Sequence, residues 1–167
     1  MKKVTNRLNR SVLVGCALIA TSSLSTFSFA ADEHNVAPGL TAAGAPLGLH
    51  GVDPVAAITQ GKAVEGAASF TAVYQGVAYY FSDEKAKQQF SASPAKYIPQ
   101  NGGFCTFGVS VGKKFDGDPN FASIVDGKLY VFLNEDIYKL FLEDKQGTIE
   151  KAAANWQKIE HVAATDL

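Results

Sequence analysis

The sequence predicts an α+β fold, with a small antiparallel sheet built from hairpins and packed by three or more short helices. Three observations carry that expectation. Two runs rich in aromatic and β-branched residues are each broken by a two-residue turn ending in Gly. Each run is followed by a residue that can cap a helix, then by apolar residues at helical spacing. The composition, 47% hydrophobic and 19% charged, is that of a globular chain. The length of 167 residues suits one domain. With 15 Lys and Arg against 16 Asp and Glu, the chain lacks the cationic excess of a nucleic-acid binder. No fixed period is read along it, which argues against a solenoid or propeller.

Residues 1–30 read as a signal peptide. Lys2, Lys3, Arg7 and Arg10 precede an apolar run from Val12 to Ala20, and Ser28 and Ala30 are small residues at the −3 and −1 positions of a cleavage site. Ala31 is then the mature N-terminus and the compartment periplasmic or extracellular. The run is shorter than the roughly 20 residues a membrane span needs, so no integral membrane segment is expected after cleavage. A rival route anchors a lipoprotein through Cys16, at the end of Leu13-Val14-Gly15-Cys16. Cleavage before Ala31 leaves 137 residues with 11 basic and 16 acidic side chains, a formal charge of −5. The mature chain holds a single cysteine, Cys105, so it forms no intramolecular disulfide.

Residues 31–49, rich in Ala, Gly and Pro, read as a flexible N-terminal arm, and residues 50–160 as the domain. Ser69–Tyr74 and Val77–Phe81 flank Gln75-Gly76 as a hairpin. Ser82 is the expected cap of a helix over 83–90 that buries Ala86 and Phe90 and is ended by Pro94. Ile124–Val131 is the second hairpin, with Asp126-Gly127 suited to a type I′ turn. Asn134 caps the next helix, with Ile137, Leu140 and Phe141 on one face. Gly147 reads as a helix stop and Thr148 as the cap of a last helix striped by Ile149, Ala152, Trp156 and Ile159, before a tail over 161–167. Both hairpins are expected in one sheet, packed by Phe90, Leu140 and Trp156.

Gly51-Val52-Asp53-Pro54-Val55-Ala56, the run Tyr74-Gln75-Gly76-Val77-Ala78-Tyr79-Tyr80-Phe81-Ser82 with Phe90, Pro94 and Tyr97, and Gly102-Gly103-Phe104-Cys105 with Lys114–Pro119 and Ile124–Leu129 carry a resemblance. Together with Ala154-Asn155-Trp156, they resemble the YHS-domain family, in its secreted stand-alone branch, over about residues 50–158. The resemblance implies a module found in or beside heavy-metal handling proteins and in secreted stand-alone copies, the latter mostly without an assigned activity. The chain departs from the metal-associated members where they carry cysteines: Ala56 and the run Ser82-Asp83-Glu84 stand there instead. Thiolate ligation of the family type is therefore not expected.

The residue chemistry leaves few site candidates. His50, Asp53 and Cys105 form a chemically reasonable His/Asp/Cys set for a transition-metal ion, without paired ligand spacing. Tyr79, Tyr80 and Tyr97 suggest a ligand pocket, although Tyr79 and Tyr80, adjacent on a strand, must face opposite ways. Cys105 reads as a buried small hydrophobe or, with Gly102-Gly103 supplying bare amides, as an activated thiol. His34 and His161 read as solvated. Asp116, Asp118 and Asn120 begin a calcium-loop pattern that fails at Phe121 and Gly127. Gly108-Val109-Ser110-Val111-Gly112 matches G-x-S-x-G outside the strand–turn–helix context that gives that motif force. The expectation is a non-enzymatic secreted binding module for a metal ion or small ligand. The alternatives are a protein-interaction or scaffold domain without a small ligand, and a small thiol redox or hydrolytic enzyme.

Overall fold

The computed structural model describes residues 33–167. The signal peptide and Cys16 lie outside the described residues. The fold is α+β, with the elements α1 (Pro54–Gln60), β1 (Ala67–Tyr74), β2 (Val77–Phe81), α2 (Glu84–Ala92), α3 (Thr106–Ser110), β3 (Asp118–Val125), β4 (Lys128–Phe132), α4 (Glu135–Glu143) and α5 (Lys145–Ile159). No helix of the described residues is long and apolar enough to cross a membrane.

The hairpins do not share a sheet. β1 pairs only with β2, and β3 only with β4, each antiparallel. Both two-residue turns have positive φ at both positions, 49° and 78° at Gln75-Gly76 and 51° and 73° at Asp126-Gly127. That is the type I′ geometry whose twist matches the flanking strands.

The two hairpins are copies of one unit. β1 and β3 each span 8 residues, β2 and β4 each 5, and α2 and α4 each 9, with every start 51 residues apart. In both ladders the register jumps at the same place, from Thr71↔Tyr80 to Ala67↔Phe81 and from Ala122↔Val131 to Asp118↔Phe132. The N-cap Asp83 corresponds to Asn134, each accepting from the backbone N–H three residues on. The correspondence extends upstream. Asp53 N–H donates to Val64 O and Cys105 N–H to Phe115 O, and Gly48 N–H donates to Ala78 O as Gln100 N–H does to Leu129 O. A single period of about 51 residues therefore exists where the sequence reading found none. Gly61, Gly66, Phe70, Gly76, Tyr79, Phe81 and Phe90 recur as Gly112, Gly117, Phe121, Gly127, Tyr130, Phe132 and Phe141.

Each half builds its core around the recurring phenylalanine. Phe90 lies 5.2 Å from the Tyr79 ring and 5.0 Å from that of Phe81. Phe141 lies 4.3 Å from Phe132 and is fully buried. A third cluster joins the halves, with Leu129 and Val131 of β4 packed on Leu49, Val52 and Ala57. β4 is thus buried on both faces, which an isolated hairpin could not achieve.

Several local expectations are corrected. Asp83, not Ser82, caps α2; its carboxylate accepts from Ala86 N–H at 2.7 Å. Gly147 does not stop a helix, and Thr148 does not cap one. Asp144 caps α5 and accepts from Gly147 N–H, and its carboxylate occupies the space a Cβ at 147 would need. Leu140 is 44% exposed and takes no part in the core, and Trp156 is half-buried. Residues 33–49 are no free arm. Ala37 N–H donates to Leu47 O and Ala78 N–H to Pro46 O, and Leu49 is buried. These bonds tie the segment to the outer edge of β2, which would otherwise be open.

Candidate functional site

The residues of the expected metal set stand in separate roles. Asp53 is fully buried and is consumed by structure. Its Oδ1 accepts from Val55 N–H (2.8 Å) and Ala56 N–H (3.1 Å), capping α1, and its Oδ2 accepts from Ser82 N–H (2.8 Å) and Ser82 Oγ–H (2.7 Å). One carboxylate so ties α1 to the end of β2. His50 is exposed, with Nε2 2.9 Å from Asp116 Oδ1. Asp116 also accepts from Asn35 Nδ2 at 2.7 Å. Desolvation raises the Asp116 pKa, but the hydrogen bonds from Asn35 and His50 outweigh it and hold the carboxyl below its usual value. Cys105 is 1% exposed. Its Sγ caps α3 by accepting from Gly108 N–H at 3.4 Å, so the amide comes from inside the helix and not from Gly102-Gly103. Burial pushes the thiol above its usual pKa against the pull of the Gly108, Leu133 and Phe107 amides. A buried thiol with a raised pKa lacks the thiolate character that the activated reading requires. Among the described residues, no group of three His, Cys, Asp or Glu side chains could hold a metal.

The other motifs also resolve locally. Ser110 ends α3 with its Oγ–H donating to Phe107 O, so the G-x-S-x-G segment forms no nucleophile elbow. Asp118 Oδ1 accepts from Asn120 N–H and Nδ2 within its own turn.

The three tyrosines are not brought together. Tyr97 is buried against Phe90. Tyr80 is half-buried beside Leu47 and the 37–41 loop. Tyr79, on the opposite face of β2, is 4% exposed and lines a cleft of about 330 Å³. Adjacent strand residues take opposite faces, as the pleat requires.

That cleft is built where pieces from across the chain meet. Tyr79 and Gln75 come from the first hairpin, Pro99–Gly102 from the start of the second half, Ala153, Trp156 and Gln157 from α5, Glu160 from its C-cap, and Glu33 and His34 from the N-terminal segment. Ala153, Trp156, Gln157 and the C-cap Glu160 fall at i, i+3, i+4 and i+7, one face of the helix. The N-terminal segment is held by Asn35 N–H donating to Gly102 O at 2.8 Å and by the pair His161 Nδ1–Glu33 Oε1. Gly102 has φ +61°, and a Cβ there would run into Glu33 O and lie 3.1 Å from the Trp156 ring. Only glycine permits this close approach. Trp156 packs on Phe104 at 6.2 Å between centroids, and the buried Lys114 ammonium lies 5.3 Å and 5.4 Å from the two ring centroids.

The polar chemistry of the cleft is open. Tyr79 Oη has no hydrogen-bond partner among the described residues, where no sealed side-chain polar atom is left without one. Its oxygen is therefore not sealed from solvent. Burial, with Tyr74 adding to it, raises its pKa well above the usual value, so the group is a neutral phenol. Burial lowers the His34 pKa, against the pull of Glu33 and Glu160, and favours a neutral imidazole. His34, Trp156 and Glu160 were not legible as site residues. The one available signal was the i, i+4 placement of Trp156 and Glu160 on the last helix. No family model, curated protein or solved structure matches the chain.

Proposed function

We propose that the protein is a secreted, non-enzymatic binding module of the YHS type that holds a small molecule in the cleft around Tyr79, His34 and Trp156. The observation that carries this reading is Tyr79, a buried side chain on the wall of a cleft whose hydroxyl has no protein partner and is not sealed from solvent. A hydroxyl with no protein partner is free to hydrogen-bond a ligand, and the buried ring behind it fixes its position. The volume is at the small end of ligand pockets and suits a molecule of one or two rings. Against an enzyme stand the sealed cap of Cys105 and the internally bonded Ser110, which leave neither nucleophile beside a base.

Trp156 is the sole tryptophan, so its emission reports on the cleft directly. A panel of cationic, neutral and anionic one-ring compounds should include at least one that shifts that emission saturably. Tyr79→Phe should weaken this binding about tenfold, the loss of one hydrogen bond. A panel without a saturable shift in any class overturns the reading. A second reading, a protein-interaction domain, is favoured by Leu133 and Leu140, exposed at and on α4. It predicts a complex in native extracts that Leu140→Glu abolishes and Tyr79→Phe leaves intact.

A further inference from the structure

We propose that the cleft selects organic cations, taking the ammonium or amidinium group on the Glu160 carboxylate and the ligand's ring against Trp156. The inference rests on the reading of the cleft as a binding site and adds the class of ligand.

Three observations carry it. Glu160 lines the cleft one turn after Trp156, is half-buried, and its carboxylate has no hydrogen bond or ion pair among the described residues. The other lining carboxylate, Glu33, is paired with His161. Tyr79, a buried side chain of the lining, has a hydroxyl with no protein partner among the described residues that is not sealed from solvent.

A ligand that fills the cleft strips water from Glu160. A neutral ligand leaves that carboxylate desolvated and unpaired, and an anion adds repulsion; both are costly at reduced dielectric. A cation pairs the charge. Lys114 is the nearby opposing charge. Its Nζ lies behind the lining, 5.4 Å from the Trp156 ring centroid, where it donates to the backbone carbonyls of Glu160 and Val162 and not to the Glu160 carboxylate. The lining is otherwise uncharged while His34 is neutral: Gln75, Gln100, Asn101 and Gln157 contribute amides. The charge of −5 on the mature chain favours approach of a cation from outside.

The test uses the mature protein and three probes of one shape: benzylammonium, benzyl alcohol and benzoate, titrated by Trp156 emission and by calorimetry. Benzylammonium is expected to bind at least about tenfold tighter than benzyl alcohol, with benzoate weakest. Glu160→Gln should erase that preference and leave benzyl alcohol unchanged, and Gln157→Lys should weaken the cation alone. Equal affinity for benzylammonium and benzyl alcohol, or unchanged cation binding in Glu160→Gln, overturns the selectivity while leaving the cleft as a binding site. Absence of binding by all three probes overturns both.

Discussion

The first half of the domain, residues 47–92, and the second, residues 99–143, share a backbone plan and differ in what they do with it. The same turn, register jump and helix cap recur about 51 residues apart. At the position of Asp53 the second half has Cys105. Both are buried, both cap a short helix, and both face the first backbone amide after the second strand, Ser82 N–H and Leu133 N–H. The carboxylate collects four hydrogen bonds, whereas the sulfur is the weaker acceptor. The first half is cross-tied by polar bonds, and the second relies on Phe132, Phe141 and Tyr130 packed around the sulfur. The difference teaches that the unit is a scaffold whose caps can be polar or apolar. The candidate site forms where additions outside the shared plan, α5 and residues 33–34, close over Gln75 and Tyr79 of the first hairpin.

The sharpest way to break this comparison is at its most similar point. Phe90→Ala and Phe141→Ala should each destabilise by about 3–5 kcal/mol in urea unfolding, since each empties the centre of one half. A loss below about 1 kcal/mol in either would show that the two cores are not equivalent.

The caps sharpen it. Asp53→Ala should cost about 2–4 kcal/mol, because two amides at the start of α1 and both Ser82 donors lose their acceptor. Cys105→Ala should cost only about 1 kcal/mol, the loss of a small hydrophobe and a weak acceptor. Equal costs from chemical denaturation would mean that the sulfur is as strong a tie as the carboxylate.

The smaller effects concern the additions. The folded His34 pKa lies below its unfolded value, so the unfolded chain takes the proton first as pH falls. Stability should therefore decline as pH drops through about 6.5, and His34→Gln should flatten that slope by less than about 1 kcal/mol. The comparison is made from urea midpoints between pH 8 and pH 5, and an unchanged slope would place His34 in solvent. For Asp116 the folded value is also lowered, so its contribution is present above its unfolded pKa and lost as pH falls through the folded one. Asp116→Asn should be slightly less stable than the parent at pH 6, with the gap closing at pH 2–3. This is the smallest effect, because both Asp116 and His50 are exposed.

The residues themselves determined the local elements. Gln75-Gly76 and Asp126-Gly127 specify tight turns, and Asn134, three residues before Ile137, caps α4, because these effects act over a few bonds. The α+β class follows from them. Tertiary structure alone decided the rest. The duplication is hidden because turns, caps and core aromatics persist while exposed positions drift: Gln89 of α2 stands where α4 has Leu140. The separation into two sheets depends on which strand edges residues 33–49 and Pro99 cover, a choice between non-local contacts that hairpin patterning does not encode. The same holds for the candidate site. Asp53 and Cys105 looked chemically available until their surroundings were known, and His34 looked solvated. Burial and hydrogen-bond partners set whether a polar side chain is spent on structure or left free, and some of those partners are remote: Ser82 is 29 positions from Asp53, and Glu160 is 126 from His34.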